Sequence, residues 1–190
     1  YPTTIFRNNV VRNNRARSIL ISIRNKTVIE NNTFSSMMTS ILFEGDLNHW
    51  YESGAVDDVL IRNNIFYDCV YGGGKGSVIW INPRMKQTLK DQPYEKNIVI
   101  EDNEFRTFDN SILSALSVDG LIFRNNKIIE SGTYPKLWPG LPVIEVRDGL
   151  NTLIQNNSFE GKEKARIVID ENSSSLKIDK KQKGFVIDKK

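Results

Sequence analysis

Cys69 and His49 are the only cysteine and the only histidine among 190 residues. A lone cysteine excludes an internal disulfide, and one of each leaves too few ligands for a zinc site or a Cys-His nucleophile. The chemistry expected is therefore free of metal and cofactor. Apolar runs are short, and none approaches the roughly 20 residues that cross a bilayer as a helix. A surplus of one charge sign is missing as well. The formal net charge is +3, but residues 177–190 carry six lysines against two aspartates, which leaves about −1 for the remainder. That distribution does not support a broad basic surface for nucleic acid. The lysine-rich end reads instead as a device that blunts an open sheet edge against another chain.

What the chain has in quantity is a repeat. The stretch Thr27-Val28-Ile29-Glu30-Asn31-Asn32-Thr33-Phe34 is apolar, any, apolar, charged or Gln, Asn or Asp, Asn, any, apolar, and close copies recur along the chain. They centre on Ile5-Phe6-Arg7-Asn8-Asn9, Leu60-Ile61-Arg62-Asn63-Asn64, Val99-Ile100-Glu101-Asp102-Asn103, Ile122-Phe123-Arg124-Asn125-Asn126 and Leu153-Ile154-Gln155-Asn156-Asn157. The second Asn falls at 9, 32, 64, 103, 126 and 157, giving spacings of 23, 32, 39, 23 and 31. A base period near 23 with insertions is the mark of a solenoid.

A second apolar string follows each copy: Ile19 to Ile23, Ile41 to Glu44, Val78 to Ile81, Ile112 to Leu116, Val143 to Val146 and Arg166 to Ile169. Both strings are short, rich in β-branched residues and bounded by Asn, Gly or Asp, which reads as two strands per repeat. Equivalent strands one coil apart pair about 4.8 Å from each other, and parallel crossovers are almost always right-handed. The fold expected is all-β, a right-handed parallel β-helix of about six coils with Asn-rich corners. The coils should occupy residues 1–176 and the lysine-rich edge 177–190. Asn suits the corner because it tolerates the left-handed backbone of a sharp turn and its amide can bond to the Asn of the next coil.

The first repeat starts at once, whereas a solenoid needs a cap at each end. The chain is therefore expected to be the C-terminal piece of a longer protein, and its uncapped first coil predicts self-association. Function on a rigid solenoid belongs on long loops. Leu47 to Gly54, with His49, Trp50 and Tyr51, is one such loop. Tyr71 to Ser77 is another, glycine-rich but without the ending of a phosphate loop. Gly132 to Gly140, with Tyr134 and Trp138, is a third.

If Ile21, Phe43, Ile81 and Val146 point inward, alternation turns Ser22, Arg24, Glu44, Asp46, Trp80, Asn82, Glu145 and Arg147 outward. Carboxylates, an arginine, an amide and tryptophans on one face suit a sugar, whose hydroxyls take hydrogen bonds while its apolar face lies on an indole. Trp50 and Trp138 would add walls. The competing reading is a surface ion-pair cluster of Glu44, Asp46 and Arg24, worth about 0 to 1 kcal/mol. Glu44 and Asp46, two apart on one strand, are also the candidate acid and base, since roughly 6.6 Å between their Cα atoms is compatible with an inverting glycosidase. Asp57-Asp58 reads as the turn into a strand.

Arg12 to Ser22, Val28 to Phe34, and above all Ile41-Leu42-Phe43-Glu44-Gly45-Asp46 with Trp50-Tyr51-Glu52-Ser53-Gly54-Ala55-Val56 resemble glycoside hydrolase family 110. Members are bacterial exo-acting enzymes that remove terminal α-1,3-linked galactose with inversion. The close likeness covers roughly Phe6 to Phe66. It implies site roles for Glu44, Asp46, Trp50 and Glu52, a glycan with terminal α-galactose as partner, and a periplasmic or secreted location. The family's catalytic aspartates precede an Asn-x-His-Gly string that this chain lacks. The resemblance therefore implies a substrate-binding portion, with the catalytic aspartates upstream. Two other readings stand beside it: a polysaccharide lyase or other β-helix hydrolase, and a non-catalytic carbohydrate-binding or adhesive solenoid.

Overall fold

The computed structural model describes residues 2–51, 54–89, 91–180 and 182–189, and among them every regular element is a β-strand. Each full coil contributes three strands. The first holds β1 (Thr4–Arg7), β2 (Val10–Asn14) and β3 (Ile19–Ile21), and the second β4 (Thr27–Glu30), β5 (Thr33–Ser36) and β6 (Ile41–Phe43). The third has β7 (Asp57–Arg62), β8 (Ile65–Tyr67) and β9 (Ile79–Ile81), and the fourth β10 (Glu95–Glu101), β11 (Glu104–Thr107) and β12 (Leu113–Leu116). The fifth has β13 (Val118–Arg124), β14 (Lys127–Glu130) and β15 (Ile144–Arg147), and the sixth β16 (Leu153–Gln155), β17 (Ser158–Glu160) and β18 (Ala165–Ile169). A shorter last turn has β19 (Lys177–Ile178) and β20 (Phe185–Lys189).

Every pairing is parallel and joins a strand to its equivalent one coil away, which builds three sheets. Sheet A runs β1-β4-β7-β10-β13-β16-β19, sheet B β2-β5-β8-β11-β14-β17, and sheet C β3-β6-β9-β12-β15-β18-β20. This is a right-handed parallel β-helix. The repeat predicts two strands per coil; the third, sheet B, escapes a pattern search because it holds only three to five residues just past the Asn pair. The 177–190 segment supplies the last edge strands of sheets A and C.

The first Asn or Asp of each pair turns the A-to-B corner with a left-handed backbone: φ is 61° at Asn8, 57° at Asn31, 53° at Asn63, 54° at Asp102, 55° at Asn125 and 52° at Asn156. The second Asn points in and stacks. Asn64 Oδ1 accepts from Asn32 N at 2.9 Å and Asn32 Nδ2 at 3.0 Å, and Asn64 Nδ2 donates to Ile29 O and to Asn103 Oδ1. The same bonds run from Asn9 to Asn157, and the Gln182 side chain closes the series by accepting from Asn157. Every buried amide of the stack is thereby satisfied, which fixes coil register. Inside, Phe34, Phe66 and Phe105 stack at 5.1 and 4.8 Å between ring centres. Outside, the charged position of the repeat alternates in sign along sheet A, so Glu30 pairs with Arg62 at 2.8 Å and Glu101 with Arg124 at 2.6 Å.

Candidate functional site

At the corner where sheet C passes to sheet A, most coils turn tightly; Leu116 reaches Val118 through Ser117 alone. Two coils do not. Residues 44–56 and 82–94 leave as long excursions, and their roots are tied together. Asn82 N donates to Phe43 O at 3.0 Å, Leu47 N to Pro83 O at 3.3 Å, Arg84 N to Asn82 Oδ1 at 3.2 Å, and the Arg84 guanidinium lies 2.7 Å from Glu44. The second excursion is anchored at Thr88, whose hydroxyl donates to Asp148 at 2.7 Å, and at Tyr94 N, which donates to the Ser117 carbonyl and hydroxyl, each at 3.0 Å. Long loops pinned this way can hold a binding geometry at little entropic cost.

Between the excursions and the corner lies an open cleft of about 660 Å³. Arg24 and Lys96 bring positive charge, Asp57, Asp91 and Asp119 negative charge, and Tyr94, Met85 and Leu89 carbon surface. Asp57 and Asp119 are held from below, each accepting from an Asn amide of the next coil, Asn97 at 2.7 Å and Asn151 at 2.8 Å. A second column of left-handed residues makes this possible: Asp58, Asn97, Gly120 and Asn151 have φ of 62°, 52°, 77° and 52°. At Gly120 an added Cβ would sit 3.1 Å from Asn97 Oδ1, closer than ordinary van der Waals contact, which favours glycine there over the Asn and Asp at the equivalent left-handed positions of other coils.

Beneath the cleft, Glu95 is 1% exposed and its Oε2 accepts from Val56 N at 2.6 Å. Burial pushes its carboxyl up from 4.5 to about 7, partly opposed by the Val56 hydrogen bond. Burial also raises the Tyr94 phenol, with Glu95 adding to the rise and Arg24 opposing it. A groove with paired donors, carboxylate acceptors and carbon walls can grip a polyhydroxylated ligand. Among the described residues no three His, Cys, Asp or Glu side chains cluster closely enough to hold a metal ion.

The residues singled out from the sequence scatter around this cleft. Arg24 lines it, and Glu44 and Asn82 stand at the roots of its walls. Asp46 does not face outward as alternation implies. β6 ends at Phe43, Asp46 has φ of 44°, and it is 4% exposed, so the strand-derived spacing of Glu44 and Asp46 does not apply. Its carbonyl accepts from His49 N and Tyr51 N, folding the loop tip on which Trp50 is 70% exposed and lies edge-on to His49. Glu52 lies outside the described residues.

Trp80 does point outward, between Leu42 and Ser114 of neighbouring strands, but into a different groove. That groove, about 300 Å³, is at the B-to-C corner with Met37, Met38 and the glycine run. Trp138 is on the 131–141 loop of that same corner. The single polar and aromatic face is thus divided, because strand alternation sets only in or out, while the side chain's position along the strand decides which corner it reaches. Glu145 and Arg147 face out on sheet C, 3.7 Å apart.

Sequence reasoning does not single out Tyr94, Glu95, Lys96, Asp57 or Asp119 as site residues. The available signal is the polar excursion after Asn82 together with Glu95 entering a strand that continues Ile98-Val99-Ile100.

The family model described as right handed beta helix region matches residues 2–181. Alpha-1,3-galactosidase A of Bacteroides fragilis is 42% identical over 174 residues, covering 90% of this chain and 29% of the relative. Alpha-1,3-galactosidase B of Bacteroides thetaiotaomicron is 44% identical over 172 residues, 87% of this chain and 28% of the relative. Alpha-1,3-galactosidase B of Akkermansia muciniphila is 40% identical over 161 residues, 83% of this chain and 20% of the relative. The likeness therefore runs well past the 6–66 segment, while the chain spans less than a third of the length of these relatives. By its repeat, its three parallel sheets and the extent of the match, the chain belongs to the right-handed β-helix family.

Proposed function

We propose that this chain is part of a glycoside hydrolase of the exo-α-1,3-galactosidase kind, and that the cleft at the C-to-A corner contributes to the site for terminal α-galactose. The observation that carries this reading is the 40–44% identity, over most of the chain, to proteins named alpha-1,3-galactosidases. The cleft supports it with charged donors and acceptors set on anchored loops, the composition that suits galactose hydroxyls. The catalytic aspartates lie outside these residues on this reading, which the missing Asn-x-His-Gly context supports. A periplasmic or secreted location belongs to the same proposal, since it places the enzyme where glycans are presented; cell fractionation tests it.

The test is release of galactose from an α-1,3-galactosyl disaccharide by this chain beside its full-length parent. Release by the parent alone is the expected result. Release by the chain alone would overturn the placement of the catalytic groups, and release by neither would overturn the galactosidase reading.

A further inference from the structure

A second cleft, of about 630 Å³, opens at the B-to-C corner between residues 131–141 and the turn at 160–166. The 131–141 loop is long and exposed, yet held at many points. Asp109 Oδ2 accepts from Leu137 N and Trp138 N at 2.9 Å each, and the Asn110 amide donates to Pro139 O at 2.7 Å and Leu141 O at 3.0 Å. The Ser131 hydroxyl donates to Asp68 at 2.8 Å. Lys136 Nζ bonds to Asn110 Oδ1 at 3.1 Å and lies 3.2 Å from Glu130 Oε2. Such anchoring is more than a connector needs, and it presents Tyr134, 53% exposed and braced edge-on by Phe108 at 5.3 Å.

The charges facing this loop are unevenly used. Lys136 is committed to Glu130 and Asn110, and Arg166 donates to Gly140 O and sits 3.9 Å from Asp188. Lys162 and Lys164 are exposed, line the cleft and have no ion pair or hydrogen bond among the described residues. Glu163 between them is, among the described residues, the one unpaired carboxylate there. The cleft thus combines an aromatic ring with two uncommitted ammonium groups. A ring takes the carbon face of a sugar, and ammonium groups take an anionic substituent through charge-assisted hydrogen bonds.

We propose that this cleft is a second carbohydrate site, for an acidic sugar carrying sulfate or carboxylate, separate from the galactose cleft and independent of whether the protein hydrolyses anything. Tyr134 stacks on the ring, Lys162 and Lys164 hold the anion, and Glu163 accepts a hydroxyl. Calorimetry on this chain with three probes, lactose 3′-sulfate, 3′-sialyllactose and neutral lactose, tests it.

One or both acidic probes should bind at least about tenfold more tightly than lactose, a difference that added salt erodes. Preference between the two identifies the anion. The Lys162→Ala/Lys164→Ala variant should lose that advantage, and Tyr134→Leu, which retains a cover over Phe108, should weaken all acidic binding. Arg24→Ala, in the other cleft, should leave acidic binding intact. Equal binding of lactose, survival of acidic binding in the double-lysine variant, or its loss in Arg24→Ala would each overturn the proposal. Circular dichroism of the exposed-site variants verifies that they fold, and amide shift changes confined to 131–141 and 160–166 give a readout on the unmutated chain.

Discussion

Replacing Glu95 by Gln isolates one buried charge. In the folded chain the carboxyl is pushed up to about 7 from 4.5, because 1% exposure leaves its anion without water and with the Val56 amide as its hydrogen-bond donor. Between these two values the folded state holds a proton that the unfolded state has released. Stability from this group is therefore fully present below about pH 4.5 and is lost as pH rises through about 7. The lost amount is on the order of 3 kcal/mol, at about 1.4 kcal/mol for each pH unit that separates the folded and unfolded titrations. Gln keeps an oxygen for Val56 N and has no charge to expose. Relative to the parent sequence, Glu95→Gln should gain stability between about pH 4 and pH 8 by roughly that amount, read as the change in urea midpoint at each pH. Direct titration of the labelled Glu95 carboxyl by NMR should give a midpoint near 7. A midpoint near 4.5, or stability curves for the two chains that stay parallel with pH, would refute the reasoning.

The Asn stack offers a contrast between adjacent residues. Asn64→Ala removes the acceptor of Asn32 N and Asn32 Nδ2 and the donor to Ile29 O, all buried, and should cost about 3 to 5 kcal/mol at roughly 1–3 kcal/mol per stranded group with partial relaxation. Asn63→Gly at φ 53° should be close to neutral, whereas Asn63→Val should cost about 1 to 2 kcal/mol; urea midpoints rank the three. Phe66→Ala, in the middle of the ring stack, should cost about 3 to 5 kcal/mol by the same assay. On the proposed galactosidase reading, Arg84→Ala in the full-length parent removes the ion pair to Glu44 at the loop roots and should raise KM for an α-1,3-galactosyl disaccharide several-fold with a smaller effect on kcat; steady-state kinetics with unchanged KM would sever the loop roots from binding.

Much of the fold is legible because the repeat is written in residue types that act locally. An Asn pair after an apolar-any-apolar string specifies a left-handed corner and an inward amide whatever lies elsewhere, and the structure has both where the string predicts. The alternating Arg62, Glu101 and Arg124 likewise answer to their own coil neighbours. Sheet B is less visible, since strands as short as Ile65–Tyr67 carry too little pattern to separate from a turn. The site is legible only in part. Glu44 and Asn82 are reached by alternation because each directly follows a strand, β6 and β9, whereas Arg24, three residues past β3, lies as far beyond its strand as Asp46 does beyond β6, so alternation does not account for its place on the cleft. Asp46 is misplaced when alternation is continued past the end of β6, and Trp80 is grouped by it with residues of the opposite corner.

The sequence by itself therefore determined the period, the parallel stacking, the inward and outward faces and the Asn corners, because each depends on contacts between equivalent positions of successive coils. Only the tertiary structure decided how the insertions use that scaffold. It joins residues 44–56 to 82–94 through Glu44 and Arg84, sets Glu95 under a cleft with Tyr94 and Arg24, and turns the 131–141 loop toward Lys162 and Lys164. Those contacts join residues with no equivalence in the repeat, so no periodic signal announces them, and they form only once the coils have stacked and brought their corners into line.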